Sequence, residues 1–512
     1  MGLQRSSVNT TGTPRSSIRR FARTLRSPLA TRHRIVLTTS LVAIVILLMV
    51  ISIGMDLLNF DVIVGALTAL VLGLVSIPAL RWVARAENDP RLLPILYWGL
   101  GLKFVFTLVR YFVITVVYAD NGDAPVYSAG GAILMDLYRK GIFVLEVPGL
   151  ESRGAETNRI AVVVGLIYLV TGYSRYAASF VFSWLCFGGE ILMIRAFSRG
   201  VPDGDLRRYA ALVLLFPSML FWPSSIGKEA LMVFCVGVAS YGAAQLLGRQ
   251  VKASGIGLFV LGGAGLFFIR PHMSLIAILA LALAAALSTV AGFSNTEDKK
   301  ASSRGFAVRM VAVILLIGGA GVATTQLSAV LGDGADGGLG GVLARTKGQT
   351  AEGGSQFAPP AVDSPAKIPM AVVTVLFRPF PWEARSMNSL IASGEGLLLA
   401  GLFLAGRRRV LQWIRSIAKR PFLVYGAAYA LAFIFAFSYI GNFGILARQR
   451  TQMIPLALLM VAMPATTKEG RFRKSSKPSQ LNDTDDERLI ETQPAVISSI
   501  SKPGQPRFGQ RP

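Results

Sequence analysis

The apolar positions of the chain fall into blocks of about twenty residues, with short polar segments between them. A helix of that length crosses the hydrocarbon core of a bilayer and satisfies its own backbone hydrogen bonds there. The pattern therefore predicts an all-α, polytopic integral membrane protein with about twelve transmembrane helices. The predicted spans are 35–55, 62–80, 95–118, 176–197, 209–222, 228–247, 255–269, 273–292, 308–330, 387–405, 421–440 and 447–463.

Three apolar segments are short for a span. We expect the segments 209–222 and 255–269 to be tilted, broken or re-entrant. The run 160–171 is too short to cross a bilayer, and we interpret it as an interfacial helix on the outer side.

The basic residues predict the orientation. When the spans alternate across the bilayer, 36 of the 52 Lys and Arg residues fall on the side of the two termini. The positive-inside rule makes that side the cytoplasm. The basic tail 1–34 and the polar tail 464–512 are expected to be disordered. They flank a helical membrane domain, 35–463, with long outer loops at 119–159 and 331–386.

Composition narrows the choice of partner. Hydrophobic residues make up 53% of the chain and charged residues 16%, while the net charge is +24. In a soluble protein that charge would suggest nucleic acid, but here the basic residues cluster between apolar blocks and no aromatic–basic module is visible. Membrane lipids are therefore the expected partner of the basic segments, and nucleic acid is not.

Metal chemistry receives little support from the sequence. The two histidines and two cysteines form no ligand pattern. No metal-ligand residues are therefore assigned, and a carboxylate-bound divalent metal is left open as a cofactor.

Two acidic residues, Asp120 and Asp123, directly follow the third predicted span, and Tyr127 follows them. A carboxylate at the lipid–water boundary could have a raised pKa, and could act as a general base or bind a metal ion. Asp120 and Asp123 are therefore the candidate catalytic residues, with Tyr127 in support. The alternative is an ordinary polar turn, since the Asn-Gly between them is a turn signal.

Several basic residues lie at the outer boundary, where the positive-inside bias disfavours them. A shared site for a lipid phosphate would explain them, because guanidinium groups match phosphate oxygens. The alternative is that each side chain reaches separately to the headgroups. The predicted phosphate-binding residues are Lys228, Arg270, Arg378, Arg448 and Arg450, with Glu229, His272 and Glu383 as supporting neighbours.

Carboxylates inside spans are functional candidates because burying a charge in lipid is costly. Glu190 and Glu395 are of this kind, and the alternative is that each pairs with a basic residue such as Lys103 or Arg110. The Gly- and Asp-rich stretch 331–370 could close over a substrate or serve only as a linker.

Two families share patterns with the chain. The run from Asp123 to Gly141 and the stretches 160–199 and 211–247 resemble the first outer loop and the following segments of GT-C glycosyltransferases. The C-terminal half, with its Arg-Pro-Phe-Pro-Trp run at 378–382 and its Asn-Phe-Gly run at 442–444, resembles O-antigen-type polysaccharide polymerases.

The GT-C resemblance implies a fold and an activity. Members move a sugar from a polyprenyl-phosphate donor to a glycan or lipid acceptor on the outer side of the membrane. It implies that Asp123 activates the acceptor and that Lys228 and the outer arginines hold the phosphate. We therefore expect a GT-C-like glycosyltransferase of bacterial cell-envelope polysaccharide or glycolipid synthesis in the inner (plasma) membrane. The alternatives are a polysaccharide polymerase and, from another class, a transporter or flippase of a lipid-linked or anionic solute.

Overall fold

The computed structural model describes residues 59–149, 155–248, 252–290, 356–357, 359, 365–385 and 387–464. The predicted spans 35–55 and 308–330, the tail 1–34 and all but the first residue of the tail 464–512 lie outside the described residues. So does most of the loop 331–386.

The described residues form helices and no strands, apart from an isolated antiparallel β-bridge between Gln356 and Asn442. In chain order the helices are α1 (Phe60–Ala86), α2 (Leu92–Phe112), α3 (Asp123–Arg139), α4 (Ala155–Thr171), α5 (Arg175–Gly200), α6 (Leu206–Leu215), α7 (Pro217–Phe221), α8 (Lys228–Leu246), α9 (Ser254–Ile269), α10 (Pro271–Val290), α11 (Ile368–Phe377), α12 (Met387–Ala405), α13 (Arg407–Ile417), α14 (Pro421–Phe437), α15 (Phe443–Arg450) and α16 (Ile454–Ala457). A π-helix, Val113–Val117, extends α2, and a 3₁₀ turn, Leu458–Ala462, follows α16.

Within the described ranges, five helices are long and apolar enough to cross a membrane: α1, α2 with its π-helical end, α5, α8 and α10. A sixth is counted if α12 and α13, which meet at a bend of 73°, form one broken span. The all-α prediction is therefore confirmed for the described residues, and the five or six apolar helices support a membrane-embedded protein. The segment 447–463, predicted as a span, is instead divided among the end of α15, α16 and the 3₁₀ turn.

The three short apolar segments behave differently from one another. The segment 209–222 is broken into α6 and α7 at Phe216, because Pro217 has no N–H to continue the helix. The segment 255–269 forms one 16-residue helix, α9. The run 160–171 lies in α4, which packs along α3 through a small cluster that includes Leu134, Tyr138 and Ala161.

Glycines bring α5, α8 and α9 into close contact. A Cβ atom on Gly237 of α8 would lie 2.2 Å from the carbonyl oxygen of Gly189 in α5. On the other side of α8, a Cβ atom on Gly262 of α9 would lie 2.4 Å from the backbone nitrogen of Ala239. In lipid, helices associate largely through such close packing, so these positions fix the centre of the bundle.

A buried ion pair joins α2, α5 and the broken helix. The Lys103 ammonium donates to Glu190 Oε1 at 2.7 Å and to the Met219 carbonyl at 2.5 Å, and it is inaccessible to solvent. An α-helix would bond the Met219 carbonyl to the N–H of residue 223, but that residue is Pro223. Lys103 thus supplies the donor that the backbone lacks, and Glu190 balances its charge.

Ion pairs also tie the helix ends together at two faces. We call one the Arg409 face. It carries the pairs Glu87–Arg195, Asp89–Arg207, Asp203–Arg420 and Asp205–Arg409.

The other we call the Asp123 face. It carries Asp120, which pairs with Arg175, and Asp123, which pairs with Arg448. Helices α2 and α5 run from one face to the other.

Candidate functional site

Asp123 is the first residue of α3 and reaches the site along an unusual backbone. The π-helix ends at Val117, and Ala119 and Asp120 then adopt positive φ angles of 48° and 58°. Such conformations are costly for residues other than glycine and concentrate at functional sites. The helix N-terminus favours the negative charge of the Asp123 side chain. That carboxylate stays largely exposed, 3.3 Å from the Arg448 guanidinium.

Asp120 has a different partner. Arg175, the first residue of α5, donates two hydrogen bonds to the Asp120 carboxylate at 2.8 and 3.2 Å. These bonds hold the pKa of Asp120 below its usual range, although burial opposes the shift slightly. The two candidate catalytic carboxylates are therefore not equivalent, since Asp120 is bound to Arg175 while Asp123 faces Arg448.

Lys228 and Arg270 share one carboxylate. Glu156, in the first turn of α4, lies 2.7 Å from the Lys228 ammonium and 3.8 Å from the Arg270 guanidinium. Burial alone would raise the pKa of Glu156, but the two positive charges more than offset it and the pKa is lowered. Arg270 also donates to the side-chain carbonyl of Gln449.

The position of Lys228 is unfavourable on its own. It opens α8, where the helix dipole disfavours a positive charge. The pairing is with Glu156 from another helix and not with the adjacent Glu229. Lys228 is thus held at a helix N-terminus by a carboxylate that is far away in the sequence. This placement favours a role for positive charge at the start of α8.

Arg448 connects these groups to Asp123. Its pKa is raised: burial lowers it, and the carboxylates of Glu229 and Asp123 more than offset that. The Tyr127 hydroxyl lies among the same charges. Burial and the carboxylates of Asp123 and Glu229 raise the Tyr127 pKa, so its hydroxyl stays protonated and able to donate. His272 lies within electrostatic reach of Arg270 and Glu156.

Arg378 and Arg450 have protein partners of their own. The Arg378 guanidinium binds Glu383 at 2.9 and 3.0 Å and stacks over Phe443. Arg450 is only 1% exposed and donates to the carbonyl of Leu376, in the last turn of α11, at 2.8 Å. The intramembrane carboxylate Glu395 lies near Arg450. Of the five predicted phosphate-binding residues, the structure thus brings Lys228, Arg270 and Arg448 together.

Three residues of this region were not predicted as site members: Arg110, Glu156 and Gln449. Arg110 is buried near the end of α2, with its guanidinium 4.8 Å from the Phe221 ring and 4.9 Å from the Trp222 ring. Its Nε and Nη1 find no hydrogen-bond partner in the described parts of the chain. Buried donors are almost always satisfied, so these two unpaired nitrogens make Arg110 a candidate for binding a ligand oxygen.

The chain matches no protein-family model, no curated protein and no solved structure. The chemistry of the site is therefore inferred from its own residues.

The charge of Arg110 interacts with the charges of Arg448 and Glu229. Arg110 therefore belongs to the same set of interacting charges as Asp123, Lys228 and Arg270. We call this set the Arg448 network. Four of its members are basic and three are acidic, which leaves a net positive charge and two unmatched donors for an anion. The members are Arg110, Asp123, Glu156, Lys228, Glu229, Arg270 and Arg448.

The carboxylates of the network do not form a metal cluster. Across the ranges that the structure describes, no group of three or more His, Cys, Asp or Glu residues could hold a metal ion. The network can instead combine an exposed carboxylate that accepts a proton with arginines that stabilise developing negative charge.

Proposed function

We propose that the chain is an integral membrane glycosyltransferase that uses a polyprenyl-phosphate-linked sugar in bacterial cell-envelope polysaccharide or glycolipid synthesis. The observation that carries the proposal is the pairing of exposed Asp123 with Arg448, inside a set of charges that has a positive surplus. A base beside an anion site is what transfer from a sugar phosphate to a hydroxyl group requires.

The reaction assigns a role to each part of the site. The Asp123 carboxylate accepts the proton of the acceptor hydroxyl while the hydroxyl oxygen bonds to the anomeric carbon of the sugar. The bond between that carbon and the phosphate oxygen breaks, and the lipid phosphate leaves with the electron pair. Arg448 and Arg110 stabilise its charge, and Lys228 and Arg270 extend the positive field around it.

The proposal includes a placement in the membrane. The Asp123 face would lie on the outer side of the bacterial inner membrane, and both termini would lie in the cytoplasm. The supporting observation is the excess of Lys and Arg in the segments that the sequence assigns to the opposite side of the membrane. About twelve spans in a GT-C-like arrangement complete this proposal.

The decisive experiment compares two carboxylates of one helix. Asp136 lies on the exposed side of α3 with no hydrogen-bond or ionic partner among the described residues, so Asp136→Asn is the matched control for Asp123→Asn. Each variant replaces the chromosomal copy, and membrane abundance is checked by immunoblot. Loss of the proton acceptor should lower product formation by about 10² to 10⁴-fold. The glycan profile of Asp123→Asn should therefore match that of a deletion strain, and Asp136→Asn should match wild type. A wild-type profile for Asp123→Asn would falsify the proposed mechanism.

A polysaccharide polymerase is the second candidate. It is favoured by the contact of Arg378 with Phe443, because Phe443 begins α15, the helix that also carries Arg448. In a polymerase, Arg378→Ala should shorten the glycan chains and leave single repeat units attached to their carrier. In the transferase proposed above, the same change should leave the lengths of the chains unaltered.

A further inference from the structure

The helix α13 has a surface that the proposed function does not use. Its sequence, RRRVLQWIRSI, follows α12 directly and is bent from it by 73°. The bend turns α13 away from the axis of α12, and the Arg409–Asp205 pair places it at the Arg409 face. Its sides are therefore presented to different surroundings.

One side of α13 is fixed to the protein. Arg409 pairs with Asp205 at 3.1 Å and donates to the Met463 carbonyl. Ser416 is buried on the same side, and Trp413 packs partly against the core. These contacts hold α13 in place and determine which of its other residues face outward.

A second side is exposed and largely apolar, with Arg407 at its beginning. Leu411 is 50% exposed and Ile414 is 55% exposed, and Ala418 continues the same stripe. Spacings of three and four residues place these side chains next to one another on a helix. In water such a stripe would be unfavourable, whereas at the edge of a bilayer it can enter the acyl region.

A third side, next to the apolar stripe, is basic. Arg408 and Arg415 are exposed and lie along one edge of α13, seven residues apart, and the exposed Lys419 follows in the turn after the helix. None of these three side chains has a partner in the part of the chain that the structure describes. Elsewhere on the Arg409 face, arginines such as Arg195 and Arg420 are paired with carboxylates. The basic edge of α13 is therefore left for charges outside the protein.

We propose that α13 lies in the membrane interface and binds anionic phospholipids of the leaflet at the Arg409 face. Leu411 and Ile414 contact the acyl chains, and Arg408, Arg415 and Lys419 bind the headgroup phosphates. The combination identifies the ligand because only a lipid offers hydrocarbon and negative charge side by side at this depth. The inference does not depend on the proposed transferase activity.

The first test measures lipid binding to the full-length protein in detergent. The increase in Tm is followed as phosphatidylglycerol or phosphatidylcholine is added, and the apparent affinity is taken from the titration. In the variant Arg408→Gln/Arg415→Gln/Lys419→Gln, the affinity for phosphatidylglycerol should fall about a hundredfold, at about five-fold for each basic residue. The response to phosphatidylcholine should not change.

A control variant separates this site from total charge. Arg139→Gln/Lys140→Gln/Arg385→Gln removes the same number of exposed positive charges from outside α13. It should keep the wild-type affinity for phosphatidylglycerol. The proposal is overturned if the α13 variant keeps that affinity, or if the control variant loses as much.

The second test measures the depth of α13 in nanodiscs. A spin label is placed at Leu411→Cys in a background in which the buried Cys186 and Cys235 are replaced by Ala. The label should be accessible to oxygen, which partitions into lipid, and protected from a water-soluble nickel chelate. Accessibility to the chelate would place α13 in water, and protection from both reagents would indicate a protein partner. Either result would overturn the proposal.

Discussion

The Arg409 face and the Asp123 face both contain several ion pairs, but the pairs are organised differently. On the Arg409 face each carboxylate has its own arginine, as in Glu87–Arg195 and Asp205–Arg409. On the Asp123 face Glu156 is shared by Lys228 and Arg270. One-to-one pairs hold helix ends together. A shared network with a surplus of positive charge costs stability and is suited to binding an anion.

The largest effect is expected between the two faces, at Lys103. The change Lys103→Met leaves the buried Glu190 without its positive partner and the Met219 carbonyl without its donor, which should lower the free energy of unfolding by about 3–5 kcal/mol. Thermal unfolding in detergent measures the loss. The double variant Lys103→Met/Glu190→Leu should recover much of it, because the unpaired charge is also gone.

The same double variant separates the transferase from a transporter. A transferase that acts at the Asp123 face should retain its product in this background. Loss of function despite restored stability would instead favour a transporter that uses this intramembrane pair.

The next effect compares the two faces: a variant of the Asp123 face should lose activity, and a variant of the Arg409 face should lose stability. Arg448→Ala should reduce glycan product by about 10² to 10³-fold, because it removes a group that stabilises the leaving phosphate. Its effect on Tm should be small. Arg409→Ala should retain the product and lower the free energy of unfolding by about 1–3 kcal/mol, because its bonds to Asp205 and Met463 are lost. Similar effects of the two variants on both measurements would remove the distinction between the faces.

A smaller effect of opposite sign is expected at Arg110. Its buried guanidinium has two unmatched donors, so Arg110→Met should raise the free energy of unfolding by about 1 kcal/mol in the absence of substrate. The same variant should lose most of its glycan product. A loss of stability would show that Arg110 holds the fold and is not kept for a ligand.

The smallest effect concerns pH. The pKa of Glu156 is lowered in the folded protein, so its ionised form adds stability above the unfolded pKa of about 4.3, and this is lost as the pH falls through the folded pKa. Because Glu156 is partly exposed, the contribution should be well under about 1 kcal/mol. Comparison of Tm between wild type and Glu156→Gln from pH 3 to pH 7 measures it. The two curves should converge at the acid end.

The sequence predicts the all-α class and the positions of the long apolar helices because hydrophobic length is a local property. The spans 62–80 and 176–197 fall within α1 and α5, and Pro217 marks the break between α6 and α7. Each of these signals lies within a few turns of the helix that it specifies.

The candidate site was harder to predict because its contacts are distant along the chain. Asp123 and Arg448 are 325 residues apart, and no spacing rule connects them. From the sequence, Arg110 is a possible partner for the intramembrane glutamates, and Glu156 lies in a polar loop without a motif. The positive-inside rule groups Arg378 and Arg450 with the other outer basic residues, but their contacts with Glu383 and the Leu376 carbonyl depend on the folded structure.

The contact of Lys103 with the Met219 carbonyl has a consequence for how this chain can change over time. Pro223 leaves a carbonyl unbonded, the lysine satisfies it, and Glu190 in turn makes the lysine tolerable. Loss of any one of the three leaves a buried polar or charged group without one of its partners. Homologous chains should therefore keep all three together or lack all three, and intermediate combinations should be rare.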